Sequence, residues 1–216
     1  MAETEFIPCG DDLAPCIIFI DMAGHPFDIA SAAPHNANVI DIRYDDWNDA
    51  LTPWKAPGLR AGDPDFGGNA DETLRRLVEE IIPEEVEIHG LSPPAYGIAG
   101  YSLGGLFSLY AFTHGDMFSA VSSMSGSLWY EGWVEYLRDL DFSGEGKKAF
   151  LSLGDREDRS GCAILRTVRE RTEETAHILR SRGCETEVSI GPGSHFQRIE
   201  ERLELGLAFL YDALVH

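Results

Sequence analysis

A serine hydroxyl becomes a useful nucleophile only when a base can take its proton and an acid orients that base. Three stretches of this 216-residue chain carry such groups, in the order serine, acid, histidine. The first is Gly100-Tyr101-Ser102-Leu103-Gly104, a G-x-S-x-G. In that pattern the serine sits on a sharp turn from strand to helix and holds its Oγ out. Glycines two residues to either side avoid a clash between the strand and the helix. The second stretch is Gly154-Asp155-Arg156-Glu157-Asp158, and the third is Gly191-Pro192-Gly193-Ser194-His195. A five-residue pattern is weak evidence in a chain with 22 glycines. Its flanks strengthen it. Residues 95–99 suit a short buried strand, and Leu103, Leu106, Phe107 and Tyr110 recur at steps of three and four, as on one helix face.

Among the seven histidines, His195 is the candidate base, because it alone lies in a glycine-rich loop between the last strand and the last helix. His177 falls within a helix, His216 is terminal, His25 and His35 precede the serine, and His114 closes a helix. The acid must turn back from the strand at 149–153, which ranks Glu157 first, with Asp158 and then Asp155 behind. An oxyanion needs two N–H donors. Leu103, just after the serine, supplies one. The loop after the first apolar strand supplies the other, from Met22 or Ala23.

Those groups need a scaffold that brings three loops to one edge. The apolar run at 16–20 and the stretches at 39–42, 118–123, 149–153 and 185–190 read as strands, and helical periodicity covers 69–82, 161–182 and 196–215. Asn69 with Glu72 reads as a capping box, and Pro83 as that helix's end. Strands alternating with helices give a mainly parallel sheet with helices on both faces, whose strand ends at the carboxyl side share one edge. One domain over 1–216 is expected. The irregular stretch 44–68, with Trp47 and Trp54, is long enough to be functional or packed on itself.

A net charge of −20 without a basic stripe excludes nucleic acid and anionic membrane as partners. Cys9, Cys16, Cys162 and Cys184 form no C-x-x-C pair and read as free thiols in a reducing, cytoplasmic setting. The acidic start MAETEFIPCGDD lacks the apolar core of a leader, and no apolar run reaches the ~20 residues of a membrane helix. Asp45, Asp46 and Asp49 lack the spacing of a calcium loop and read as a solvated turn. No metal and no cofactor are expected. Trp54, Trp129 and Tyr101 are candidates to line a substrate pocket, with core packing as the alternative for such aromatics.

Taken together, Gly100 to Phe107, Ser125-Gly126-Ser127-Leu128-Trp129-Tyr130, Gly154-Asp155-Arg156-Glu157 and Gly193-Ser194-His195-Phe196 resemble the α/β-hydrolases. More closely they resemble the putative-esterase branch that holds esterase D and the enterobactin-type siderophore esterases. The segment from Asp46-Trp47-Asn48 to Pro57 is similar to small bacterial members. The resemblance implies an α/β-hydrolase fold, from whose larger members the sequence departs in two ways: a trimmed N-terminus, with only about fifteen residues before the first strand, so that the usual opening antiparallel strands are expected to be largely missing, and no large cap domain, unless residues 44–68 cover the site. It also implies a carboxylic-ester hydrolase with Ser102 as nucleophile, His195 as base and Glu157 as acid, and the leading expectation is a metal-independent serine esterase acting on a small soluble ester. A non-catalytic binding protein on the same fold and an acyltransferase using the same three residues are the alternatives.

Overall fold

The computed structural model describes residues 2–216. Its strands are Ala2–Ile7 (β1), Cys16–Met22 (β2), Asn38–Tyr44 (β3), Tyr96–Tyr101 (β4), Phe118–Met124 (β5), Lys148–Gly154 (β6) and Glu185–Gly191 (β7). They form one seven-stranded sheet in the order β1-β3-β2-β4-β5-β6-β7. β1 runs antiparallel to β3, and every other pairing is parallel. The helices are Ile29–Ala32 (α1), Trp47–Ala50 (α2), Ala70–Arg76 (α3), Ile82–His89 (α4), Leu103–Thr113 (α5), Trp133–Asp139 (α6), Val168–Ser181 (α7) and Ile199–Val215 (α8).

The run CIIFI in β2 is apolar without alternation because both faces of the sheet are covered. Ile18 and Ile20 pack with Leu106, Phe107 and Trp133 on one face, whereas Ile17 and Phe19 pack with Leu203, Leu207 and Leu210 on the other. All eleven residues of α5 are buried, so this helix crosses the centre of the molecule directly behind Ser102.

Four local expectations are corrected. The acidic N-terminus forms β1, an edge strand whose Glu3 and Glu5 stay accessible; charge on an edge blunts pairing with other chains and hides the strand from a search for apolar runs. Asn69 does not cap α3 through its side chain; its Nδ2 donates to Asp49 Oδ2 at 2.6 Å. Pro83 does not end the helix. A π-helical turn, Leu77–Ile81, precedes it, and the chain continues through α4. The wider turn, with Ile82 N–H donating to the Leu77 carbonyl, accommodates a residue that has no N–H and crowds the carbonyl four residues back. Finally, α7 starts at Val168 rather than 161. Thr167 Oγ1 and N–H both close on the Ile164 carbonyl, and this tight turn carries Leu165 away from the helix face.

The stretch 44–68 is packed on itself. Asp46 caps α2, Thr52 Oγ1 bridges the Asn48 carbonyl and the Gly68 N–H, and Ala56 pairs with Phe66. The Gly68 backbone has φ +80°, and a Cβ there would lie 2.4 Å from the Trp54 carbonyl carbon. Both facts require glycine.

Asp21 and Asp41 are fully buried on neighbouring strands. Burial pushes the Asp41 carboxyl up to about 7, with the Asp21 charge adding to it and Arg43 opposing. Its Oδ1 has no hydrogen-bond partner. A raised folded value contributes stability that is full below the unfolded value and is lost as pH rises through the folded one. The denaturation midpoint is therefore expected to fall between pH 5 and 8, and Asp41→Asn is expected to flatten that fall. An unchanged slope in urea melts of the variant at the two pH values would contradict this.

Candidate active site

Ser102 joins β4 to α5 with φ 57° and ψ −121°, a backbone strained for any residue with a side chain. The neighbouring glycines are steric necessities. A Cβ on Gly100 would lie 2.4 Å from the Gly104 carbonyl, and one on Gly104 would lie 2.6 Å from the Ile20 carbonyl oxygen. The turn is tied down by Ser102 N–H donating to the Met124 carbonyl at 3.1 Å and by Ser127 N–H donating to the Ser102 carbonyl at 2.9 Å.

Three loops at the carboxyl edge converge there. His195 Nε2 lies 3.2 Å from Ser102 Oγ, and His195 Nδ1 lies 2.8 Å from Glu157 Oε2. With Nδ1–H donating to the carboxylate, Nε2 is left to accept the serine proton. Glu157 Oε1 accepts from Ser125 Oγ and from Gly154 N–H, each at 2.7 Å. The Glu157 side chain is 3% exposed. Burial alone would raise its carboxyl; the His195 hydrogen bond and charge, with the Gly154 and Ser125 donors, outweigh that and hold it below the ordinary range. The arrangement can pass a proton from Ser102 to an imidazole and stabilise the imidazolium.

The other two carboxylates of that loop do not touch the imidazole. Asp155 Oδ1 accepts from Gly193 N–H at 2.9 Å and so fastens the histidine loop. Asp158 lies in the short 3₁₀ turn Glu157–Arg159 that swings Glu157 inward.

Three expected site residues are placed differently. Tyr101 is 2% exposed and does not line the cleft. Its hydroxyl donates to the His195 carbonyl at 2.6 Å and accepts from buried Arg202 at 2.9 Å, holding the loop from beneath. Trp54 packs against Tyr130 and Tyr136 and donates from Nε1 to the Glu131 carbonyl, outside the cleft. Met22 N–H is taken by Asp21 Oδ1 at 2.7 Å and Ala23 N–H by the Tyr44 carbonyl at 3.3 Å, so the loop after β2 offers neither to an oxyanion. Leu103, the first residue of α5, has an N–H with no intrahelical acceptor. Trp129 lines the cleft.

Two residues were missed. Ser125, with φ 46° and 1% exposed, supports Glu157. Ser127 places its Oγ 3.3 Å from Ser102 Oγ. Their only sequence signal is the Ser125-Gly126-Ser127 run after β5. The cleft at the serine, about 390 Å³, has Ser102 and His195 on its wall, apolar Leu59, Trp129, Leu165, Val168 and Phe196 around them, and Arg156 and Arg159 beside them. The global charge of −20 therefore does not describe this cleft.

Residues 28–195 match the family described as Putative esterase. A protein of Bacillus subtilis (strain 168), the uncharacterized protein YbbA, is 31% identical over 148 residues, 67% of this chain and 59% of that protein's length. The chain thus spans less than two thirds of that relative. Among solved structures, the siderophore hydrolase EstA from Aspergillus nidulans superposes with a TM-score of 0.74 at 23% identity, covering 94% of this chain and 84% of that one. The IroE-like serine hydrolase from Shewanella oneidensis gives 0.75 at 18%, covering 98% and 75%. The enterobactin esterase FES from Shigella flexneri gives 0.72 at 20%, covering 99% and 55%. At these identities the likeness is one of fold, the α/β-hydrolase fold.

Proposed function

Since this chain belongs to the putative esterase family, we propose that it hydrolyses a carboxylic ester through an acyl-enzyme on Ser102. The observation that carries the reading is the unbroken series from Ser102 Oγ to His195 Nε2, at 3.2 Å, and from His195 Nδ1 to Glu157 Oε2, at 2.8 Å. His195 acts as general base in acylation and returns the proton to the leaving alcohol. Water then attacks the acyl-enzyme with the same imidazole as base. Glu157 orients the ring and stabilises its charge.

The substrate is a small soluble ester whose acyl group enters the apolar part of the cleft between Leu59, Trp129, Leu165 and Phe196. A volume of about 390 Å³ suits a short chain or a single aromatic ring rather than a long lipid tail. Among the described residues no helix is long and apolar enough to cross a membrane. All four cysteines are free, which supports a reducing, cytoplasmic setting. A series of p-nitrophenyl esters tests the reading. Hydrolysis is expected to peak at short acyl chains and to fall at least tenfold in kcat/KM by twelve carbons. Turnover that rises with chain length would contradict the assigned acyl site.

A further inference from the structure

An acyl-enzyme on Ser102 passes through tetrahedral intermediates whose oxyanion needs two donors aimed at one point. The inference here rests on that reading of Ser102. Leu103 N–H is one donor, and the loop after β2 has both of its candidate N–H groups already engaged. A second cleft, about 230 Å³, meets the first at Ser102 and is lined by Trp47, Asn48, Leu103, Ser127 and Trp129 among others. Leu103 lines this second cleft and not the first, whereas His195 lines the first and not the second. The oxyanion thus belongs to the second cleft, across Ser102 from the imidazole.

We propose that the side-chain amide of Asn48 is the second oxyanion donor, a catalytic residue for this reaction. Its backbone carbonyl is turned into the protein, where it accepts from Gly67 N–H and Thr52 Oγ1. Its amide has two N–H groups and makes no hydrogen bond among the described residues, although the residue is only partly exposed. Asn48 is also held rigidly. Asp46 caps the short helix it sits on, Asp49 is bonded to Asn69, and the Trp47 ring stands 3.4 Å from where a Gly104 Cβ would be, against the start of α5. A donor fixed before the reaction stabilises charge without reorganising when the charge appears. The stretch 44–68 then serves catalysis: it supplies the donor that a free loop after β2 would otherwise give. Ser127 Oγ is the competing donor, and the amide is preferred because that hydroxyl already lies against Ser102 Oγ at 3.3 Å.

The test is kinetic, on a short p-nitrophenyl ester, with a trifluoromethyl ketone as a probe that forms a tetrahedral oxyanion on the serine. Asn48→Ala is expected to lower kcat about 10²- to 10³-fold, with KM nearly unchanged. It should weaken the ketone by a similar factor and leave the thermal midpoint near that of the wild type. Asn48→Asp, which puts a carboxylate where charge develops, is expected to be no better. Ser127→Ala should retain activity within about tenfold. Wild-type kcat and ketone affinity in a folded Asn48→Ala would overturn the assignment, as would a large loss confined to Ser127→Ala. Absence of any Ser102-dependent turnover in the unaltered protein would instead overturn the hydrolase reading itself, so the two failures are distinguishable.

Discussion

Ser102→Ala is expected to lower kcat on a short p-nitrophenyl ester by about 10⁶, because groups that act as a unit fail together when the nucleophile is removed. The variant should remain folded. Alanine carries the same Cβ into the strained backbone at φ 57°, and the turn's hydrogen bonds come from backbone groups at Ser102 and Ser127. Ser127 does not offer a substitute hydroxyl. Its Oγ is 3.3 Å from Ser102 Oγ, but the imidazole that would activate it is bonded to Ser102. Residual turnover within a hundredfold of wild type, in a variant with an unchanged melting curve, would mean that another residue forms the covalent bond or that none does.

Glu157→Gln is expected to cost nearly as much, approaching about 10⁴ in kcat, as for an amide substitution in a well-coupled triad. The structure states why an amide is the wrong replacement. Glu157 accepts from three donors through its two oxygens: His195 Nδ1 on Oε2, and Ser125 Oγ and Gly154 N–H on Oε1. Glutamine has one oxygen. If it faces Gly154 and Ser125, its NH₂ meets the imidazole and enforces the tautomer that cannot accept the serine proton. If it faces His195, the NH₂ meets the Gly154 N–H. Asp155→Asn is expected to be mild, since it keeps a carbonyl oxygen for the Gly193 N–H, and Asp158→Asn milder still, since among the described residues its half-buried carboxylate makes no hydrogen bond and no ion pair. A depressed carboxyl such as Glu157 contributes stability that is present above its ordinary range and lost as pH falls through the folded value, so the wild type should lose this contribution in acid and Glu157→Gln should not. A crippled Asp155→Asn beside an active Glu157→Gln would move the acid to the other carboxylate.

The serine turn was readable because its requirement is steric: Gly100 and Gly104 are packed backbone against backbone, and no other residue type fits. The parallel sheet was readable because β2, β4 and β6 are apolar on both faces. β1 was not, because an acidic edge strand resembles a solvated tail. Neither was the continuation of the helix through Pro83, where a π-helical turn relieves the clash that the residue type announces. Within the site, one order of serine, acid and histidine narrowed the acid to three neighbours. Choosing among them depends on the 3₁₀ turn after Asp155, which swings Glu157 in while leaving Asp155 to the loop. Tyr101 and Trp54 show the weakness of reading aromatics by type, since Tyr101, next to Ser102 in sequence, packs behind the site, and Trp54 packs beside it against Tyr130 and Tyr136. The hydrogen bonds that occupy Met22 and Ala23 come from Asp21 and from the neighbouring strand, and nothing in a single sequence reports such pairings.

The central claim is that an acyl group passes through Ser102. Mixing the protein with a short p-nitrophenyl ester, quenching in acid within the first turnover and mapping the peptides by mass tests it most directly. The expected result is an acyl mass on the peptide containing Ser102, formed with a burst of nitrophenolate at a stoichiometry approaching one when deacylation is slow, and absent in Ser102→Ala. Steady hydrolysis with no acyl mass on that peptide, or with the acyl group on another residue, would contradict the account.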